Sequence, residues 1–372
     1  MTDGERDTAV NGTIVDGAAA DGVSTPSAPA RTLRSAAALV QAGLAPAETE
    51  AALAKVAARY AVAVPSALAA LIVPNDPDDP IARQVLPDPA ELVESQDESA
   101  DPIGDAAHAP VKGIVHRYPD RVLLVPTLVC AVYCRFCFRR ERVGPRGHDG
   151  LNRAEWAAAL SYIRDHPAVR EVVITGGDPL TLAPHRLGEI VTALDAVPHV
   201  RVIRIHTRLP VAAPDRVSPA LVTALSCDKA LFVALHANHP REFTPAAAAA
   251  LRRLSRAGIP LLGQSVLLKG VNDDPVTLEA LMRAFIENRI KPYYLHHLDP
   301  APGPARFRTS IAQGQALMRS LRGRVSGLGQ PAYVLDIAGG FGKSPIGPDY
   351  LSTAEATILD WQGRQHPLPK ED

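Results

Sequence analysis

The chain has 372 residues, of which 47% are hydrophobic, and it carries 39 basic against 40 acidic residues. This hydrophobic content excludes global disorder, and the near-zero net charge excludes a global basic field for nucleic acid or a membrane surface. Neither a secretory signal nor an apolar stretch of transmembrane length is visible, so we expect a cytoplasmic protein without a membrane or nucleic-acid partner.

The first third of the sequence divides into three segments. Residues 1–30 lack periodicity and are predicted to form a flexible tail. Residues 31–109 are predicted to form a helical extension followed by an acidic, proline-rich connector. The connector, residues 74–105, holds ten acids, six prolines and a single base, Arg83. Because proline and aspartate at this density break helices and strands, we expect a solvated connector.

From about residue 110 the chain alternates between short β-rich runs and stretches of helical period, such as residues 153–164 and 245–257. This alternation predicts an α/β fold, either a parallel (β/α) barrel or a doubly wound sheet. Polar residues follow most of the runs, which favours a partial barrel over residues 110–345. Residues 346–372 are predicted to be a C-terminal tail. The predicted strands are 122–125, 172–174, 202–205, 231–235, 261–266, 293–295 and 333–335.

Three of the four cysteines, Cys130, Cys134 and Cys137, follow the first predicted strand with a C-x3-C-x2-C spacing. A structural zinc site needs four ligands, usually two separated pairs, and the remaining Cys227 is isolated. Three thiolates can instead hold three irons of a four-iron cluster and leave one iron open for a cofactor. We therefore favour an iron–sulfur cluster over zinc, and interpret Cys227 as a small buried hydrophobe.

Lys343 lies in a glycine-rich turn after the last predicted strand. The Gly-Lys-Ser sequence is not a P-loop, because Ile337 stands where the first P-loop glycine would be. From this segment alone, a surface lysine and a Schiff-base lysine for pyridoxal phosphate are equally good interpretations.

The cysteine spacing resembles the motif of the radical S-adenosylmethionine superfamily, and the loop 175–178 is similar to its glycine-rich strand end. Within that superfamily, ordered motifs from about residue 76 to about 363 resemble the lysine 2,3-aminomutase family. These motifs are residues 116–121 (HRYPDR), 137–140 (CFRR), 176–178 (GGD), 204–210 (RIHTRLP), 236–240 (HANHP), 264–273 (QSVLLKGVND) and 292–294 (PYY), then Asp336 and Lys343.

The resemblance implies a role for each matching residue. Cys130, Cys134 and Cys137 would hold the cluster, and Lys343 would carry pyridoxal phosphate. Arg139 matches the arginine that holds the substrate carboxylate, and a guanidinium suits that task because it binds a carboxylate bidentately. Asp299 and Asp336 match two aspartates that hold substrate ammonium groups, which favours lysine over glutamate. The residues expected around the cofactors are Arg117, Tyr118, Arg121, Gly176, Gly177, Asp178, His236 and Gln264.

The reaction implied is migration of the amino group of lysine from C2 to C3, initiated by a 5′-deoxyadenosyl radical. Its implied cofactors are a [4Fe-4S] cluster, S-adenosylmethionine and pyridoxal 5′-phosphate. An electron donor such as flavodoxin or ferredoxin is also implied. A homo-oligomer is compatible with the sequence, which does not decide the oligomeric state.

Two departures and one alternative accompany this resemblance. The longer clostridial-type enzymes add a zinc site, but no cysteine follows Cys227 and Asp274 stands at one ligand position, so no zinc is expected. The CRFCFRR segment is more similar to the aminomutases that supply β-lysine for elongation factor P, which keeps that purpose open beside free-lysine metabolism. A zinc-bound barrel without catalytic activity is the alternative of another class.

Overall fold

A computed structural model describes residues 31–144 and 150–368. The predicted 1–30 tail and residues 369–372 of the predicted C-terminal tail lie outside these ranges. The helices within them are α1 Ala36–Gln41, α2 Glu50–Arg59, α3 Ser66–Ala69, α4 Pro80–Val85, α5 Arg153–Arg164, α6 Pro184–Asp195, α7 Leu209–Ala212, α8 Pro219–Thr223, α9 Pro245–Arg256, α10 Pro275–Glu287 and α11 Ile311–Leu321.

The strands of the described residues form two sheets. The first is a nine-stranded sheet in sequence order, in which β2 to β8 are parallel and the edge strands β1 and β9 are antiparallel. Its strands are β1 Ile114–Tyr118, β2 Arg121–Thr127, β3 Glu171–Gly176, β4 Val202–Thr207, β5 Ala230–His236, β6 Leu261–Val266, β7 Ile290–His296, β8 Ala332–Ile337 and β9 Gly342–Pro345. A small antiparallel sheet joins β10 Leu351–Ser352, β11 Thr357–Leu359 and β12 Gln365–Pro367.

The large sheet curls into a nearly closed barrel. Its two edges meet where the Tyr118 hydroxyl on β1 accepts a hydrogen bond of 2.8 Å from the Lys343 backbone N–H on β9. All seven predicted strands lie within β2 to β8, so the predicted partial parallel barrel is confirmed. The antiparallel strands β1 and β9 were not predicted, because each is short and lies beside polar or glycine-rich sequence.

Along each strand, side chains point alternately to the outer and the inner face of the barrel, which determines which residues line its interior. On β4, Ile203 and Ile205 are fully buried among helix residues such as Leu187 of α6. Because successive side chains of a strand point to opposite faces, Arg204 and His206 point into the barrel interior. The outer face of the strands thus builds the core, while the inner face is free to carry polar chemistry.

The helical extension packs over the cysteine loop rather than standing apart from the barrel. A cluster of buried residues unites Leu39 of α1 and Leu68 of α3 with Val132 of the cysteine loop and Ala212 of α7. A β-bridge between Leu33 and Val64 ties the start of this extension to its middle. The extension therefore covers one side of the barrel mouth.

The acidic segment 74–105, which we call the strap, is not solvated, and the prediction of a solvated connector is wrong. The side chains of Asp79, Glu91 and Asp105 are at most 2% exposed. The strap lies across the barrel because five of its acids pair with arginines of the barrel and its loops. The pairs are Asp79–Arg241, Asp88–Arg306, Glu91–Arg135, Glu91–Arg140, Glu98–Arg308, Asp105–Arg117 and Asp105–Arg139.

Two of these acids also start helices. Asp79 caps α4, and Asp88 caps a short 3-10 helix, each immediately before a proline. Aspartate followed by proline is a helix-start signal, because the carboxylate satisfies free backbone N–H groups and proline suits the first helical position. Within the described residues, no helix has the length and apolar character needed to cross a membrane.

Candidate active site

The polar residues expected at the site lie at the carboxyl ends of the parallel strands, where (β/α) barrels place their active sites. They fall into two neighbouring groups. The first surrounds the cysteine loop after β2, and the second surrounds Lys343 on β9. Arg139 links them, because it follows Cys137 by two residues and its charge also acts on Asp299 of the second group.

The three cysteines of the loop are free thiols that lie close to one another. Burial raises the pKa of Cys130 well above its usual value, with the neighbouring Cys137 and Cys134 adding to the effect. Burial, with Cys134 nearby, raises the pKa of Cys137 to about 11. Converging thiols of this kind release their protons when a metal binds them.

The donor set of the loop suits a multi-iron cluster. Three thiolates on one loop can each bind a different iron of a four-iron cluster and leave the fourth iron open. Cys134 already accepts a hydrogen bond of 2.8 Å from the Arg208 guanidinium, so positive charge is available to a cluster thiolate.

The loop after β3 packs directly on the loop that carries the cysteines. The Gly177 N–H donates to Thr127 O at 2.8 Å, and the Asp178 N–H donates to Val129 O at 2.9 Å. A Cβ on Gly177 would lie 2.4 Å from Val129 O, and one on Gly176 would lie 2.4 Å from the Val125 side chain. Glycine is therefore required here by the approach of the protein's own strand end.

The Asp178 carboxylate is turned toward β4. It accepts hydrogen bonds from the Thr207 hydroxyl at 2.7 Å and from the Arg208 backbone N–H at 2.8 Å. It also accepts from Leu180 N and begins a 3-10 helix. The side chain thus joins the ends of β3 and β4, while the backbone of the glycine loop faces the cysteine loop.

His236 and Gln264 lie on neighbouring strands, β5 and β6, and point into the interior. The His236 ring stacks on Phe136 of the cysteine loop, with 5.4 Å between ring centroids. Burial, with Arg208 nearby, lowers the pKa of His236 to about 4, so its ring is neutral near pH 7. Its Nε2 is buried without a partner among the described residues. The Gln264 amide lies 3.4 Å from Nδ1 of His206.

The second group centres on a lysine between two carboxylates. Lys343 Nζ lies 2.5 Å from Asp336 Oδ2, across the antiparallel pairing of β8 and β9. The other oxygen, Asp336 Oδ1, is buried and has no hydrogen-bond partner within the described part of the chain. Burial and then repulsion by Asp336 raise the pKa of Asp299 to about 7. Two carboxylates thus lie near a single lysine, so their negative charge exceeds the positive charge beside them. A second cationic group could balance it.

Tyr118 and Arg121 flank the backbone of Lys343. The Tyr118 hydroxyl accepts from the Lys343 N–H, and the Arg121 guanidinium lies 3.8 Å from the centroid of the Tyr118 ring. Gly342 has a φ of +93°, and a Cβ there would lie 2.4 Å from the Tyr118 hydroxyl. Glycine before Lys343 is therefore what lets β1 reach β9.

Arg117 and Arg139 are held by the same buried carboxylate, that of Asp105. Arg117 Nη2 donates to Asp105 Oδ1 at 3.1 Å, and Arg139 donates to Oδ2 through Nη2 at 2.8 Å and through Nε at 3.1 Å. Burial opposes ionisation of Asp105, but Arg139 and Arg117 hold its pKa below the usual value. Arg117 Nε is buried without a partner among the described residues, so a donor remains for an anion.

Sequence reasoning missed Asp105 and His296. Asp105 lies in the strap, which its acidic composition led us to predict as a solvated connector. The ten acids of the strap and the many arginines of the barrel have opposite charges, and this signal could have indicated that they pair. His296, at the end of β7, has its pKa lowered well below the usual value by burial, with Lys343 and His236 nearby. Its proximity to both groups appears only after the barrel closes.

Asp274, considered above for zinc, caps α10 by accepting from the backbone N–H groups of Val276 and Thr277. Its carboxylate therefore has a local structural partner. Cys227 lies before β5 and packs against the core, but it is only partly buried and not fully buried as expected. Its thiol faces Lys229 O at 3.6 Å.

Comparison with known proteins agrees with this geometry. Residues 124–281 match the Radical SAM superfamily. L-lysine 2,3-aminomutase of Clostridium subterminale is 40% identical over 76% of this chain and 67% of its own length, and that of Escherichia coli is 38% identical over 77% and 83%. Glutamate 2,3-aminomutase of Clostridioides difficile is 36% identical over 79% and 70%. Barrel, cysteine loop and relatives together show that this chain belongs to the lysine 2,3-aminomutase family of radical SAM isomerases.

Proposed function

We propose that this enzyme converts lysine to β-lysine by moving the amino group from C2 to C3, with pyridoxal phosphate on Lys343. The observation that carries the proposal is the group of Asp299, Asp336 and Lys343. Two carboxylates with one lysine, and a buried Asp336 Oδ1 without a partner, suit a substrate with a cationic side chain. A glutamate side chain would meet like charge there.

The two ends of lysine would be held by different elements. Arg139 donates to Asp105 through Nε and Nη2, so its Nη1 edge is turned away from Asp105 and is suited to a substrate carboxylate. At the other end, the substrate ammonium would bind Asp336 and Asp299. In this orientation the carbon chain of lysine would extend from Arg139 toward Asp336 on β8.

The cofactors would be held by the residues around these ends. The cluster and S-adenosylmethionine supply the radical, and pyridoxal phosphate supplies the π-system that eases the migration. Arg117, Tyr118 and Arg121 lie near the edge where Tyr118 bonds the Lys343 backbone, and they suit a phosphorylated aromatic ligand, with the Nε of Arg117 as one available donor. Gly176, Gly177, His236 and Gln264 border the cysteine loop and suit the adenosyl ligand. Asp178 would support that site through its bonds to β4.

The first test is assembly and substrate choice. Anaerobically reconstituted enzyme is analysed for iron, sulfide, zinc and pyridoxal, and then incubated with a reductant, S-adenosylmethionine and either lysine or glutamate. We expect about four irons per chain, pyridoxal, and β-lysine as the product, whose enantiomer separates the two proposed physiological purposes. Zinc at the thiols without iron, or preference for glutamate, would contradict the proposal.

A second test locates pyridoxal phosphate without relying on turnover. Borohydride reduction fixes pyridoxal to the lysine that holds it, and peptide mass spectrometry then identifies that lysine. Of the seven lysines, we expect the label on Lys343. Lys291 is the matched control, because its amine is engaged by the backbone carbonyls of Pro292 and Gln330 at 2.9 Å. Equal labelling of Lys343 and Lys291 would contradict the proposal that Lys343 holds pyridoxal phosphate.

A further inference from the structure

Arg208, at the end of β4, makes a close contact with the cysteine loop that the proposed chemistry does not use. Its Nη1 lies 2.8 Å from Cys134 Sγ, and its guanidinium lies 5.3 Å from the centroid of Phe136 in the same loop. Arg208 is only 7% exposed. A buried cation is thus aimed at one of the three expected cluster ligands.

The guanidinium is held in place by two other segments, helix α4 and the loop after β5. Nη2 donates to the Gln84 side chain of α4 at 2.7 Å and to Glu242 Oε2 at 2.9 Å. Glu242 is fully buried, and its other oxygen accepts from the backbone N–H groups of Asn238 and His239. Because Gln84 and Glu242 are fully buried and hydrogen-bonded to other groups, Arg208 has little freedom to turn away from Cys134.

We propose that Arg208 is a positioning residue that raises the reduction potential of the cluster through its N–H bond to the Cys134 sulfur. Reduction adds one negative charge to the cluster. An N–H donor directed at a ligating sulfur stabilises the reduced form more than the oxidised form, so the potential rises. Glu242 moderates the effect, because it carries the opposite charge on the far side of the same guanidinium.

The test measures the potential of the cluster rather than turnover. Anaerobically reconstituted full-length protein, without S-adenosylmethionine or lysine, is reduced with dithionite at set potentials while the reduced cluster is followed by electron paramagnetic resonance. Arg208→Gln alone would leave Glu242 buried without its counter-charge, so the test variant is the double substitution R208Q/E242Q. Signals are normalised to iron and sulfide content.

We expect R208Q/E242Q to lower the ratio of reduced to oxidised cluster about tenfold at a fixed potential. For a one-electron couple this corresponds to about 59 mV. The matched control is Arg204→Gln, four residues earlier and on β4, because Arg204 bonds Tyr293 and Glu171 instead of a cysteine. A shift of equal size in the control, or none in the double variant, would overturn the proposal.

The single substitution Glu242→Gln gives a prediction of opposite sign and keeps the test decisive if the double variant loads poorly. Its amide oxygen can still accept from Asn238 and His239, while the guanidinium loses its counter-charge. We therefore expect the potential to rise above that of the unsubstituted enzyme. An unchanged or lower potential in E242Q would show that Arg208 does not act on the cluster.

This inference rests on the presence of a cluster at Cys130, Cys134 and Cys137, and its failure is distinguishable from failure of the proposed function. If the unsubstituted protein binds no iron, the proposed function fails first. If it binds iron and turns over lysine, but the potentials of R208Q/E242Q and E242Q do not move apart, only the role of Arg208 is wrong.

Discussion

Acidic side chains are paired in opposite ways in the strap and in the lysine group, by which we mean Asp299, Asp336 and Lys343. In the strap, Glu91 is fully buried and accepts from the guanidinium groups of both Arg135 and Arg140. In the lysine group, Asp299 and Asp336 share Lys343, and the pKa of Asp299 rises to about 7 because burial and Asp336 outweigh the lysine. In the strap, the buried acid has more than one positively charged partner. In the lysine group, two carboxylates share the single lysine Lys343.

This difference separates structure from function. A buried carboxylate with arginine partners is satisfied by the protein itself and offers nothing to a ligand. A carboxylate short of partners costs folding free energy, which is tolerated where a ligand completes the pairing. The contrast predicts that substitutions in the strap change stability, and that substitutions in the lysine group change activity.

The largest effect is expected for Glu91→Gln. Removing this charge leaves Arg135 and Arg140, which are at most 5% exposed, without a buried counter-charge. We expect the free energy of unfolding to fall by about 3–5 kcal/mol, measured by urea denaturation of the iron-loaded protein. Glu94→Gln is the control, because Glu94 pairs with Arg59 at the surface and its side chain is 52% exposed; it should change stability by less than about 1 kcal/mol. Equal losses of stability in the Glu91→Gln and Glu94→Gln variants would contradict the proposed difference between buried and exposed acids.

Asp336→Asn is expected to act on catalysis instead. Losing one partner of a buried charge pair costs about 2–5 kcal/mol in binding, so kcat/KM for lysine should fall at least about 30-fold. Stability should change by less than about 1 kcal/mol, because the substitution also relieves repulsion on Asp299. The control is Asp228→Asn, an exposed residue at the opposite end of the barrel before β5. Unchanged lysine turnover in D336N would refute the proposed substrate site.

The pH dependence follows from Asp299. Its folded pKa of about 7 lies above its ordinary value of 3.8, so between these pH values the folded chain holds a proton that the unfolded chain has lost. The stability of the unsubstituted enzyme should therefore fall as pH rises from about 4 to about 7, by at most about 4 kcal/mol. Asp299→Asn should remove this component, which urea midpoints at pH 5 and pH 8 would measure.

Lysine binding should respond in the opposite sense. As pH falls through about 7, Asp299 takes up a proton and loses the charge that holds the substrate ammonium. KM for lysine should rise below this pH, and kinetics measured from pH 6 to 9 would detect it. A KM independent of pH would show that Asp299 does not contact the substrate.

The smallest effect is expected at the fringe of the strap. The Glu98 side chain is 1% exposed, but its partner Arg308 is 36% exposed, so solvent weakens the pair. Glu98→Gln should lower the free energy of unfolding by about 1 kcal/mol, well below Glu91→Gln. A loss of unfolding free energy as large as that of E91Q would show that burial of the partner arginines does not determine how much each acid stabilises the fold.

Much of the barrel could be predicted because its signals are local. Each of the seven predicted strands is a short apolar run bounded by turn residues, and residues 153–164 form helix α5 over the predicted range. The cysteine spacing and the glycine-rich turn of Lys343 are also local patterns. The strap could not be predicted from composition, because some of the arginines that pair with its acids lie far along the chain, as in the bond between Arg308 and Glu98, which are 210 residues apart.

The sequence by itself determined the positions of the seven parallel strands, the three thiols after β2 and the lysine beside the glycines, because each depends on neighbours along the chain. Only the tertiary structure decided that the acidic segment is a buried strap, that Asp105 holds Arg117 with Arg139, and that Arg208 contacts Cys134. These are contacts between distant segments, and their energies depend on burial and charge pairing that appear only once the barrel has closed.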